Sequence, residues 1–295
     1  MLLDFIKENN NYCYMHNGLI KESNINLESL SFKNDQKIIL IHDIDSDTNI
    51  NYDLFTNVSV TILELLHINN SCTINRNIYV NDNSSLNIVS IESSKENLKI
   101  NINNFTKLNT NSTIDNMKIT IFSSDAKEID NSELNSNNGK LLNYNVYINS
   151  SKENLDINSK VSHLYKDSES IMTNYGICKG GSKMTINTNG FIARGAKRTN
   201  VRQKSKGILL DLESSIEANP WLQIDEYDCL ASHGAGIGAI DEEELYYLMS
   251  RGLTRLTSEQ LIIGGFLNPV FEKILELGFG QKIVDYYREE INKFL

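Results

Sequence analysis

Ala231-Ser232-His233-Gly234-Ala235-Gly236-Ile237-Gly238 runs directly into Ala239-Ile240-Asp241-Glu242-Glu243-Glu244-Leu245-Tyr246-Tyr247-Leu248-Met249-Ser250-Arg251-Gly252-Leu253. Ahead of it, 222–230 reads as a strand, with Ile224 and Tyr227 among polar residues and the Asn219-Pro220 pair marking a turn. The glycines that follow free the backbone to take positive φ or to approach another chain closely. Asp241 is placed to cap a helix, and Glu244 three positions on completes a capping box. Leu245, Leu248 and Met249 then share one helical face, and Gly252 stops the helix. His233 is therefore expected on a strand-to-helix corner, with its side chain facing outward.

Two readings of that corner differ in consequence. A histidine beside a glycine turn often serves structure alone, donating to a backbone carbonyl. The Gly234-Ala235-Gly236-Ile237-Gly238 run also looks superficially like a phosphate cradle. It lacks the lysine of a P-loop and the third-glycine spacing of a dinucleotide fingerprint, and no βαβ unit surrounds it. No nucleotide is expected to bind there.

Up to about residue 230 the chain is a series of short β-runs: 37–41, 58–62, 77–80, 86–89, 98–102, 117–121 and 144–148. Most alternate apolar and polar, the pattern of a sheet buried on one face. Their separators are Asn, Asp and Ser, which accept left-handed or Asx-turn geometry without Gly or Pro. Strands at such regular spacing fit a sandwich, a barrel or a stacked solenoid. The asparagine load suits stacked side-chain ladders in a solenoid, and an Asn-biased genome explains it equally well.

From Asp241 the period changes. Helices are expected at 241–251, 258–267, 269–277 and 280–293, with Thr257 and Gln260 as a second capping signal and Pro269 at a helix's first position. The apolar faces of these helices are expected to pack mostly on the β-body and on each other. The division is a β-body over 1–238, with a short helix at 2–8, and a helical module over 239–295.

A chain of 295 residues has ample core for one large or two modest domains. A formal charge of −10 argues against a nucleic-acid binder. The one basic cluster is Arg194, Lys197, Arg198, Arg202, Lys204 and Lys206, read as a solvated face or as a meeting place for an anionic partner. No apolar run is long enough for a membrane span, and the start resembles neither a signal nor a transit peptide. Cys13, Cys72, Cys178 and Cys229 are scattered without a C-x-x-C pair, which points to a reducing, cytoplasmic setting.

Residues 231–253 closely resemble the signature of the SufB/SufD family, the scaffold components of the SUF iron–sulfur cluster assembly machinery. The resemblance extends over about 183–271. It includes Ile192-Ala193-Arg194-Gly195-Ala196-Lys197-Arg198-Thr199, Lys204-Ser205-Lys206-Gly207-Ile208-Leu209-Leu210 and Ile216-Glu217-Ala218-Asn219-Pro220-Trp221-Leu222-Gln223-Ile224. It implies a mainly β fold, a right-handed parallel β-helix (β-solenoid) followed by a small C-terminal α-helical module. It also implies a non-enzymatic scaffold that handles a nascent, transient iron–sulfur cluster and docks a SufC-like ABC ATPase. By resemblance the helical module is the docking element, with Tyr246, Tyr247 and Arg251 as contact residues. Nucleotide would belong to the ATPase and not to this chain.

In the family, D-type subunits contribute the motif histidine and B-type subunits a cysteine in the late β-helix. His233 takes the first role. The segment matching the cysteine reads Gln203-Lys204-Ser205-Lys206-Gly207, with Ser205 nearest the position, and serine neither carries a persulfide nor binds iron well. The chain is therefore SufD-like, with a SufB-like paralogue as partner. The alternative is a homodimeric minimal scaffold pairing with a second copy of itself. It draws on the lack of an N-terminal helical domain and on Cys229, which even spacing puts on the same strand face as His233. A thiolate and an imidazole suit iron, whereas a buried, inert cysteine is the plainer reading. A rival of another class is a β-helix enzyme acting on acidic polysaccharide, which needs clustered carboxylates or cations on adjacent coils and a route of secretion.

Overall fold

The computed structural model describes residues 2–25 and 29–294. Helix α1 (Leu2–Asn9) precedes an antiparallel hairpin of β1 (Tyr12–His16) and β2 (Leu19–Ser23). The chain continues through β3 (Ser31–Phe32), β4 (Gln36–Ile44), β5 (Thr48–Leu54), β6 (Ser59–Ile68), β7 (Cys72–Val80), β8 (Ser85–Ser94) and β9 (Lys99–Leu108). Then come β10 (Thr113–Phe122), β11 (Asp125–Leu134), β12 (Lys140–Ser150), β13 (Asn154–His163) and β14 (Glu169–Lys179). The last strands are β15 (Lys183–Ile192), β16 (Thr199–Leu209), β17 (Ser215–Ile224) and β18 (Cys229–Ala239). Helices α2 (Glu242–Ser250), α3 (Arg255–Glu276) and α4 (Gln281–Phe294) close the chain.

From β3 onward successive strands alternate between two sheets, ordered β18-β16-β14-β12-β10-β8-β6-β4-β1-β2 and β17-β15-β13-β11-β9-β7-β5-β3. Each strand pairs in parallel with the one two places on, so the body is a parallel β-solenoid of about eight turns. Like stacks on like. Asn75 Nδ2 donates to Asn49 Oδ1 at 2.9 Å, and Asn103 Nδ2 to Asn75 Oδ1 at 2.9 Å. At one corner Asn57, Asn83, Asn111 and Asn138 take φ of 62°, 58°, 55° and 59°, the left-handed region that asparagine tolerates. The separators thus turn the chain as their chemistry indicated, and the asparagines form ladders.

All seven β-runs read from the sequence coincide with strands, although Val58 lies just outside β6 and Leu98 just outside β9. Strands β5, β11 and β13 carry few apolar residues and lie outside the expected set. Their inward positions (Ile50 and Leu54; Ala126 and Leu134; Leu155, Ile157 and Val161) are buried because coils above and below complete the stack. That support is not local, so neither is its signal.

One-sided alternation fails in the even strands. Leu63, Leu65, Val89, Ile91, Ile119, Ile121, Val146 and Ile148 face away from the lumen and are buried beneath Ile263, Leu267, Val270, Phe271 and Ile274 of α3 and Ile283, Val284, Tyr287 and Ile291 of α4. Polar ties reinforce the seam. Lys273 Nζ donates to Asp115 Oδ2 at 2.7 Å, Tyr144 Oη to the Phe266 carbonyl at 3.0 Å, and Lys37 Nζ to the Gly278 carbonyl at 2.8 Å. Helices and body share one core.

The helix boundaries need correction. Asp241 caps α2, accepting from the Glu243 amide rather than Glu244, and Gly252 at φ 93° follows its end. The next cap is Thr254, which accepts from the Thr257 amide, so α3 starts three residues before the expected site. Pro269 does not open a new helix but lies inside α3.

Inside the lumen, aliphatic columns share space with charge. Arg76 Nη2 donates to Glu92 Oε1 at 2.7 Å and lies 3.5 Å from Glu64 Oε2 through Nη1, while Lys118 pairs with Glu128. His163 is wholly buried between Ser168 Oγ at 2.7 Å and Ser170 Oγ at 2.8 Å. Burial holds its pKa down at about 4, against about 6.5 for an unfolded histidine. Below pH 6.5 the unfolded chain takes up a proton that the folded chain refuses. The stability His163 supports is therefore complete above pH 6.5 and lost as pH falls toward 4. Glu128, raised to about 8 by burial and by Asp130, works in the opposite direction over an overlapping range. A difference measurement separates the two. The destabilisation caused by His163→Gln in urea unfolding is expected to shrink by about 2 kcal/mol between pH 7.5 and pH 5. A difference independent of pH would show that His163 is not held neutral.

Candidate functional site

The two ends of the solenoid differ. At the start, the antiparallel β1–β2 hairpin caps one sheet, with Lys21 and Glu22 on the short edge strand, and β3 ends the other after two residues. Short, charged edges resist strand addition. At the far end β17 and β18 are both edge strands. Trp221, Ile224, Tyr227, Leu230 and Ile237 are all exposed there, Tyr227 completely so.

The motif stretch does not form a corner. Residues 222–230 divide between the end of β17 and the start of β18, with a turn at 225–228 where Glu226 accepts from the amides of Gly195, Tyr227 and Asp228. Asn219 and Pro220 lie within β17, where proline is tolerated because the strand has a neighbour on one side only. His233 sits in the middle of β18, and Gly234, Gly236 and Gly238 are extended strand residues, absent from the positive-φ positions. A run of glycine usually punctuates a chain. Pairing along the whole of β16, from Thr199↔Cys229 to Leu209↔Ala239, overrides it.

Register fixes which way the motif faces. His233 pairs with Gln203, and Gln203 is buried with its Nε2 donating to the Trp221 carbonyl at 3.3 Å. The buried positions of β16 are Thr199, Val201, Gln203, Ser205 and Gly207, which point into the lumen. Their β18 counterparts Cys229, Ala231, His233, Ala235 and Ile237 therefore share the lumen-facing side, left uncovered because no coil follows. Ser205 lies one strand below Ala235, buried, with its hydroxyl unpartnered.

Cys229 and His233 share a face, as even spacing indicated, but four strand residues separate their Cα atoms by about 13 Å. That is too far for both to reach one iron atom. The Cys229 thiol donates to the Glu226 carbonyl at 3.2 Å. Its pKa is raised by burial and by the charges of Glu226 and Asp228, so the thiol form is favoured. Among the described residues no group of three or more His, Cys, Asp or Glu is arranged to hold a metal ion.

The other sequence-picked residues lie on or just after α2, which follows β18 directly. Tyr246 and Tyr247 project from α2, 76% and 57% exposed, and the Arg251 guanidinium stacks over Tyr247, 5.3 Å from the ring centroid. Met249 of α2 and Leu256 and Leu261 of α3 are exposed as well. What sequence reading missed is orientation. Arg202, Lys204 and Lys206 are the exposed, outward counterparts of the buried β16 residues, whereas Arg198 turns a corner and is held by Asp167 at 2.6 Å. Strict alternation through 199–207 is the signal that separates them.

The body is thus a parallel β-solenoid capped at one end and open at the other, with a histidine on its last strand. The SUF system FeS cluster assembly SufBD core domain matches residues 50–266, and the chain belongs to that family. Within it the chain is SufD-like. It is 32% identical over 146 residues to the iron–sulfur cluster assembly protein SufD of Bacillus subtilis, covering 50% of this chain and 33% of that protein. It is 32% identical over 98 residues to SufD of Escherichia coli, covering 32% of this chain and 23% of that protein. A SufBD family protein of Pyrococcus horikoshii is 41% identical over 92 residues, covering 30% of this chain and 20% of that protein. The chain thus matches a third or less of the length of these relatives. No helix among the described residues is long and apolar enough to cross a membrane.

Proposed function

We propose that this chain is a non-catalytic scaffold subunit of a SUF-type iron–sulfur cluster assembly complex in the cytoplasm. It pairs with a SufB-like subunit through its last coil and docks a SufC-like ABC ATPase through α2 and the start of α3. The carrying observation is the place of His233, on the uncovered lumen side of an edge strand, where the described residues assemble no group of three or more metal-ligating side chains. A second chain laid on β18 would cover the exposed apolar residues and bring the remaining ligands. The neutral imidazole would then bind iron of the nascent cluster, which is cargo, or move a proton beside it.

The docking surface is the Tyr246, Tyr247 and Arg251 patch. Tyrosine and arginine are the residue types that concentrate binding energy at interfaces. Because these side chains stand clear of the shared core, their removal leaves the fold intact. Tyr246→Ala combined with Arg251→Ala is expected to weaken ATPase binding by at least about tenfold, roughly 1.4 kcal/mol, by titration calorimetry. Unchanged affinity would move the docking site elsewhere.

A further inference from the structure

The basic cluster acquires a direction once β16 and β18 are in place. Arg202, Lys204 and Lys206 stand at alternate positions of β16, exposed on its outer face. Among the described residues none of the three forms an ion pair, in a chain of net charge −10 where Lys7, Arg198, Arg255 and Lys273 all do. One strand outward, their partners on β18 are Ser232, Gly234 and Gly236. Beyond β18 the sheet edge is free.

A strand added to β18 would run about 5 Å beyond it and about 10 Å from β16. Arginine and lysine stems can lean across that gap, because the serine and glycines between them and the added strand put almost nothing in the way. A Cβ placed on Gly234 or Gly236 would have no neighbour within 4 Å. The cations repeat every two residues, roughly 6.7 Å, and so does any extended strand laid alongside. Groups that match them are carboxylates on the outward face of that strand.

Resting on the scaffold reading above, we infer that the strand which pairs with β18 belongs to a different chain and carries Asp or Glu at alternate outward positions, received by Arg202, Lys204 and Lys206. The β18 of a second copy of this chain cannot supply them. It presents Leu230, Ser232, Gly234, Gly236 and Gly238 on that face, without a single carboxylate. β17, the edge of the other sheet, carries Pro220 at its centre and faces outward with Glu217, Asn219, Trp221 and Gln223, a single carboxylate and no cations. The geometry thus selects hetero-pairing on β18 over self-pairing.

The test uses the full chain with the SufB-like scaffold subunit encoded by the same genome. Affinity is measured by calorimetry across a salt series, and self-association by sedimentation equilibrium. The wild type alone is expected to stay monomeric at micromolar concentration and to bind the paralogue with affinity that falls steeply with salt. Lys204→Glu with Lys206→Glu is expected to weaken binding on the order of tenfold per reversed charge, and acid-to-lysine changes on the paralogue's paired strand to restore it. Circular dichroism verifies that the variant, altered only at exposed positions, is folded. Binding that ignores both salt and charge reversal, or self-association as tight as the paralogue complex, overturns the inference and leaves the scaffold reading standing. Failure of the wild type to bind the paralogue at all overturns both.

Discussion

His233→Ala is expected to remove most of the iron and sulfide from the anaerobically purified complex, while subunit pairing and ATPase docking persist. The side chain is exposed on the last strand and makes no hydrogen bond with the described residues, so its removal leaves neither a cavity nor an orphaned buried partner. Its value lies in what a second chain brings to it. Iron and sulfide content, with visible absorbance, reads the effect directly. Cys229→Ala discriminates between assemblies. With its thiol protonated and about 13 Å along the strand from His233, Cys229 is expected to be dispensable, with cluster content near that of the wild type. Loss of cluster in Cys229→Ala would favour a scaffold that uses both residues, and normal cluster content in His233→Ala would leave the histidine with no role in assembly.

A chain ending at Gly238 is expected to be recovered aggregated, not as a folded body. The division at 238/239 follows the change of periodicity, but α3 and α4 bury a continuous outer face of the even-stranded sheet, from Ile39 and Leu63 to Val146 and Ile148. Each fully buried aliphatic side chain contributes roughly 1.5–3 kcal/mol, so uncovering eight or more is comparable to or larger than the net stability of about 5–15 kcal/mol typical of a domain. Soluble yield and far-UV circular dichroism of the truncated chain check this. A monomeric, strand-rich product with a cooperative melt would show the body to be independent of its helices. For the same reason ATPase docking is properly probed by substitutions on α2, since a truncation would destroy the platform along with the contact.

The place of His233 in the chain and the family resemblance that surrounds it were legible because they reside in residue identity and spacing. So were the Asn corners, since asparagine tolerates left-handed backbone wherever the chain turns, and the helices' apolar stripes, since a 3.6-residue period is a local property. The spacing of the β-runs left sandwich, barrel and solenoid open, because a strand's sequence records that one face is buried and not which strand covers it. Coil stacking chose among them. Asp125–Leu134 and Asn154–His163 become strands because flanking coils complete their hydrogen bonds and cover a few inward side chains. The same cause turned Gly234, Gly236 and Gly238 from an apparent loop into an edge strand. Register alone decided that His233 faces the open lumen while Lys204 and Lys206 face outward. One residue of slip would exchange those faces, and only the pairing with β16 prevents it.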